Sequence, residues 1–232
     1  MVGGAKEITL ALDGGYLLHT LFTCPEINEK ESTHAISKSV PDVYAISREC
    51  FEKISYRSGS DGLLAVFQAK ARALNELTFG DNPFFIIVEA VEKPGNLGAI
   101  IRTADGCGAD AVIVCDEKAD IFNPNVIRSS VGTVFTKQVA ATGNKELVDF
   151  LQQHEISAYG AILSEKSKLY TDVDLNRPLA LILGTEHEGL SESWKDASEP
   201  IMIPMKGVND SLNVSNAAAI LAYEVVRQRN KG

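Results

Sequence analysis

Residues 84–106 read FFIIVEAVEKPGNLGAIIRTADG, and the way this stretch folds decides the architecture. Phe84–Glu89 is a short apolar run that ends at turn residues, as a strand buried on both faces does. Leu97–Gly106 reads as a helix, and Pro94 and Gly95 turn the chain between the two. The same alternation continues outward. Ala111–Cys115 is a strand and Asn125–Ser130 a short helix. Thr136–Ala140, Ala158–Leu163 and Leu179–Leu183 are further strands, with a helix over Lys145–His154. Pro200–Ile203 is the last strand and Val214–Arg229 the last helix. Short apolar strands alternating with helices predict an α/β fold with a mostly parallel sheet covered on both faces.

Working back from Phe84, the pattern is weaker. Residues 5–12 read as a helix stopped by Gly14 and Gly15. Strands are expected over Tyr16–Phe22, Asp42–Ile46 and Leu63–Ala69. Pro25–His34 reads as a helix, and Ser47 is a good N-cap for another through Ile54. This is a small α/β domain over residues 1–75. Residues 70–82, KARALNELTFGDN, read as a linker ending in the Asn82–Pro83 break. The second domain then covers 82–232.

The bulk composition excludes several classes. The formal net charge is −9. Residues 1–81 carry 8 basic against 11 acidic residues, and residues 82–232 carry 14 against 20. Neither half is a basic module, so any contact with nucleic acid must be focused. Apolar runs such as FFIIV and LALIL are far too short to span a bilayer, and no signal peptide is visible at the N-terminus. Cys24, Cys50, Cys107 and Cys115 show no CxxC spacing, and the four histidines show no HxxxH. No metal site or disulfide framework is expected, and a reducing cytoplasm fits best.

In parallel sheets, ligands sit beyond the carboxyl ends of the strands. Three loops there carry glycines and open helices: VEKPGNLGAIIRTADGCGAD, GTEHEGLSES and MKGVNDSLNVS. Free N–H groups at such helix starts can hold a polar ligand. The first loop has Gly95 and Gly98 but not GxGxxG, which disfavours a dinucleotide-binding oxidoreductase. The run Ser211-Leu212-Asn213 precedes a helix that is apolar on nearly every face. Capping alone would need only Asn213 or Ser215, so the polar run is expected to line a pocket as well.

PGNLGAIIRTA, LILGTEHEGLS and IPMKGVNDSLNVSNAAAI resemble the three motifs of the SpoU (TrmH-like) family of the knotted SPOUT class. These are S-adenosylmethionine-dependent RNA ribose 2′-O-methyltransferases acting on rRNA or tRNA. The resemblance covers residues 82–229. A weaker one, resting on GAKEI and YRSGSDGLLAVF, likens the first segment to the ribosomal-protein-like substrate-binding domain that many members carry. The SpoU resemblance implies a C-terminal trefoil knot and a homodimer with the active site at the two-fold interface. It also implies that the front domain, starting abruptly at Met1-Val2-Gly3, lacks one edge of its sheet.

The resemblance further implies site roles. Gly184, Ile203 and Leu212, flanked by Thr185 and Pro204, hold the cofactor. Asn96 and Arg102 are the functional positions of the first motif, Glu186 of the second, Ser211 and Asn213 of the third. A guanidinium is a poor general base near neutral pH. Arg102 is therefore expected to grip the target phosphate and stabilise the developing alkoxide. Asn125, Arg128 and Ser130 are expected either to touch RNA or a partner subunit or to cap a helix. Arg227, Arg229 and Lys231 are expected to complement the last helix dipole. His187 is expected to be solvated. A catalytically inactive RNA-binding protein is the rival reading, which the full set of motif residues disfavours.

Overall fold

The computed structural model describes residues 1–28, 36, 42–56, 61–70, 72–116, 118–185 and 189–230. The front segment holds β1 (Val2–Gly3), α1 (Ala5–Asp13), β2 (Leu18–Thr23), β3 (Asp42–Ala45), α2 (Arg48–Ile54) and β4 (Leu63–Phe67). Its four strands pair in the order β1-β4-β2-β3. Ser47 caps α2 as expected, accepting from the Cys50 N–H at 3.4 Å. The helix expected over Pro25–His34 starts as a turn at residues 25–27, and its remainder falls largely outside the described residues.

The second part opens with β5 (Phe84–Glu89) and α3 (Pro94–Gly106), followed by β6 (Ala111–Cys115), α4 (Pro124–Ser129) and β7 (Gln138–Thr142). Next come α5 (Asn144–Gln153), β8 (Ser157–Ala161), β9 (Lys168–Leu169) and β10 (Leu179–Leu183). The chain ends with α6 (Glu192–Ala197), β11 (Glu199–Met202) and α7 (Val214–Arg229). Seven strands form one sheet in the order β7-β6-β5-β10-β8-β11-β9. Every neighbouring pair in it is parallel. Side chains of β5 alternate between two cores. Phe84, Ile86 and Val88 join one with α3, α4 and α7; Phe85 and Ile87 join the other with α5 and α6. Each fully buried chain of this kind contributes about 1.5–3 kcal/mol of hydrophobic stabilisation.

Five sequence expectations change. The helix expected from Leu97 begins at Pro94, so Pro94 and Gly95 open it and do not form the turn before it. The linker is not a solvated tether: Leu74–Glu76 is a 3-10 turn, and Leu74 and Leu77 are buried in the second core. Gln138 holds it there, donating to the Thr78 carbonyl at 2.7 Å. The strand expected at Thr136 begins two residues later, because Thr133–Phe135 forms a 3-10 turn first. β9 and α6 had no counterpart in the sequence reading. Arg229 does more than face a dipole. Its guanidinium donates to the carbonyls of Asn82, Pro83 and Arg177, which ties the end of α7 to the start of β5.

The two parts touch directly. A Cβ on Gly14 would strike the carbonyl of Phe135, and one on Gly132 would meet Leu10 Cδ1 at 2.8 Å. Close approach of α1 to the 133–135 turn therefore requires glycine on both sides. All four cysteines are free, and burial pushes the Cys107 and Cys115 thiols up.

Candidate active site

The carboxyl ends of β10, β8 and β11 open into a cavity of about 210 Å³. Leu183, Ile201, Ile203, Leu212 and Leu221 give it apolar walls, and Gly184, Thr185, Asp210 and Ser211 stand among them. Five of the residues expected to serve a site, Gly184, Thr185, Ile203, Ser211 and Leu212, thus line one cavity. They come from two loops separated by a strand and a short helix.

The two ends of the loop after β10 are paired. Thr185 and Gly189 exchange both backbone hydrogen bonds, at 3.1 and 3.2 Å. Gly189 has φ +69°, where glycine carries no steric cost. A Cβ on Gly184 would run into the Gly189 carbonyl and lie 2.6 Å from the Leu190 nitrogen. Glycine at 184 is therefore demanded by the return of the loop itself, in addition to any ligand.

Asn213 does both things its position suggests. Its Oδ1 accepts from the Ser215 N–H at 3.0 Å, capping α7. Its Nδ2 donates to Asn96 Oδ1 at 3.2 Å, joining the third loop to the first turn of α3. The first loop is brought close by Gly98, where a Cβ would meet Ser129 Oγ, the Val126 carbonyl at 2.6 Å and the Ser130 nitrogen at 2.9 Å. α3 and α4 pack with almost no space between them.

Four expected residues stand outside the cavity lining, Asn96 and Asn213 joined to each other and Pro204 and Arg102 apart from them, and one falls outside the described residues. Pro204 is exposed beyond β11. Arg102 is exposed on α3, and among the described residues its guanidinium has no ion pair or hydrogen bond. It lies about 9 Å along the helix axis from Asn96. Glu186 and its neighbour His187 fall outside the described residues. Ser130 is fully buried and its hydroxyl donates to the Ile127 carbonyl at 3.0 Å, which removes it as an RNA contact. Arg128 is exposed at the end of α4.

Sequence reasoning missed a buried polar cluster behind the cavity. Glu89, at the end of β5, is 3% exposed and takes bonds from Ser191 and Asn144. Asn144 in turn accepts from the indole of Trp194 at 2.8 Å. The one signal was an acidic residue closing an otherwise apolar strand.

An all-parallel α/β sheet with a largely apolar cleft at its carboxyl edge is the frame of a cofactor-binding α/β enzyme. The model of the SpoU rRNA methylase family matches residues 83–223, and the chain belongs to that family. Residues 1–65 match the MRM3-like substrate binding domain. The chain is 28% identical to the 23S rRNA (uridine(2479)-2′-O)-methyltransferase of Streptomyces viridochromogenes, an alignment covering all of this chain and 84% of that protein. It is 30% identical to the 23S rRNA (guanosine(2553)-2′-O)-methyltransferase RlmP of Bacillus subtilis, over 95% of this chain and 89% of the other. The solved structure of the SpoU methyltransferase AviRb from Streptomyces viridochromogenes, in complex with AdoMet, superposes with a TM-score of 0.90 at 27% identity. That match covers 99% of this chain and 90% of the other.

Proposed function

We propose that this chain transfers a methyl group from S-adenosylmethionine to a ribose 2′-hydroxyl of ribosomal RNA in the cytoplasm. The observation that carries the reading is the convergence of two family motifs on one cavity, with the third joined to them through Asn96 and Asn213. The apolar walls made by Ile203 and Leu212 suit a flat adenine, and Gly184 and Thr185 stand beside them. S-adenosylmethionine, when bound, supplies an activated methyl on a sulfonium, so no metal is needed for the transfer. The protein must hold the ribose hydroxyl in line with that methyl at near-attack distance. Ser211, Asn213, Asn96 and Glu186 are the groups assigned to orient and polarise the hydroxyl. Arg102 is assigned to the phosphate and the developing oxyanion, which a fixed fork of donors stabilises.

The front domain is read as the RNA-binding part, and the C-terminal third as a trefoil knot. The working unit is read as a two-fold dimer. Ile220 and Tyr223 are exposed on α7, at 37% and 53%. Arg102 shares a helix face with Gly106, beside which the Tyr223 hydroxyl lies. Arg102 does not line the cavity of its own chain, so docking of a second copy on this face is the route by which it would reach a cofactor cleft. No described helix is long and apolar enough to cross a membrane.

The test is methyl transfer from labelled S-adenosylmethionine to 23S rRNA transcripts, followed by mapping of 2′-O-methylated positions. Label retained at a single ribose is expected. A chain that binds the cofactor and methylates neither rRNA nor tRNA would leave the inactive RNA-binding reading standing.

A further inference from the structure

We propose that Glu89 is a positioning residue that holds the wall of the cofactor cleft in place. The proposal rests on the cleft reading above. Leu183 pairs with Val88 in the sheet, so Glu89 stands level with Gly184 where the loop leaves β10. Its Oε2 accepts the backbone N–H of Ser191 at 2.8 Å, where the same loop ends and α6 begins. Its Oε1 accepts from Asn144 Nδ2 at 2.6 Å. That amide also donates to Asp116 Oδ2 at 2.7 Å. The loop is therefore fixed at its start by the sheet, and at its end by the buried Leu190 together with the one polar tether, a carboxylate reaching across from the neighbouring strand.

Glu89 is itself outside the cleft lining. A buried carboxylate is costly to keep, and two neutral donors are a modest return for core packing alone. The bond to Ser191 has a directional consequence that core packing lacks. It sets where Gly189 and Thr185, which do line the cleft, stand relative to Ile203 and Leu212. Loss of the tether should shift Thr185 and Gly189 at the cleft while Leu190 stays in the second core.

The experiment measures S-adenosylmethionine affinity by calorimetry, well below each variant's melting temperature, beside turnover at saturating cofactor. Glu89→Ala should raise Kd about tenfold or more, the scale of a lost charge-assisted hydrogen bond, with turnover at saturation within about threefold. Glu89→Gln keeps one oxygen for the Ser191 N–H but sets its NH2 against Asn144 Nδ2, so its Kd should fall between those of the parent and Glu89→Ala. Ser191→Pro removes the backbone donor together with a hydroxyl that makes no hydrogen bond, at a residue whose φ is already −62°. It should raise Kd as Glu89→Ala does, and it keeps the test open should the alanine variant fail to fold. A folded Glu89→Ala or Ser191→Pro chain with parental Kd would overturn the tether alone. A parent chain that does not bind S-adenosylmethionine would instead sink the cleft assignment.

Discussion

Arg102 is the residue on which the proposed chemistry depends most, and its placement separates binding from turnover. It stands away from the cavity lining, so Arg102→Ala should leave cofactor affinity nearly unchanged. Turnover should fall about 100-fold or more, the scale for a lost preorganised donor at a developing oxyanion. Arg102→Lys should rescue little, because a point charge does not reproduce the bidentate fork. Leu212→Asp is the opposite case, since it puts a carboxylate in the apolar wall and should damage cofactor binding directly. Calorimetry beside single-turnover methyl transfer reads both. If Arg102→Ala abolished binding while Leu212→Asp left it intact, the roles assigned here would be reversed. The residue types at 102 and 213 were legible because each occupies a motif position. The bond from Asn213 to Asn96 was not, because 117 residues separate them and only the packing of α3 against α7 closes the gap.

At the scale of the element, α3 and α4 show how a site loop is held by packing. Gly98 sits inside α3, where glycine costs about 1 kcal/mol against alanine in an isolated helix. The gain is close contact with the backbone of α4. Gly98→Ala should therefore destabilise the protein, by about 1–3 kcal/mol for an overpacked contact, although helix propensity alone predicts the reverse sign. Chemical denaturation decides between them. The boundaries of α7 and β10 agree with the sequence reading, since a long periodic helix and a clean apolar strand carry strong local signals. α6 escaped it because six residues, ESWKDA, give too little periodicity. That helix exists because Trp194 is buried in the second core and its indole N–H finds Asn144.

At the scale of the whole molecule, two measurements follow. In the dimer proposed here, Arg102→Ala and Leu212→Asp chains, each inactive alone, should complement on mixing. Random pairing in a two-fold dimer gives about a quarter of parental activity, because half the dimers hold one complete site. No recovery from chains shown to exchange would place Arg102 in its own cleft, and a stable active monomer in analytical ultracentrifugation would remove the dimer itself. Amide exchange should be faster in the front sheet than in the large one. All four residues of β3 are exposed, whereas β5, β6 and β10 are buried throughout. Equal protection in the two sheets would contradict this. By itself the sequence determined the parallel α/β class and the strand and helix types around the three loops, because periodicity is a local property; the roles expected of individual residues rested on the resemblance of the three motifs. The tertiary structure alone decided the strand order, the docking of residues 72–79, the pairing of Thr185 with Gly189 and the burial of Glu89. Each depends on contacts between segments far apart in the chain, where geometric fit and the cost of leaving a buried polar group unpaired choose the partner.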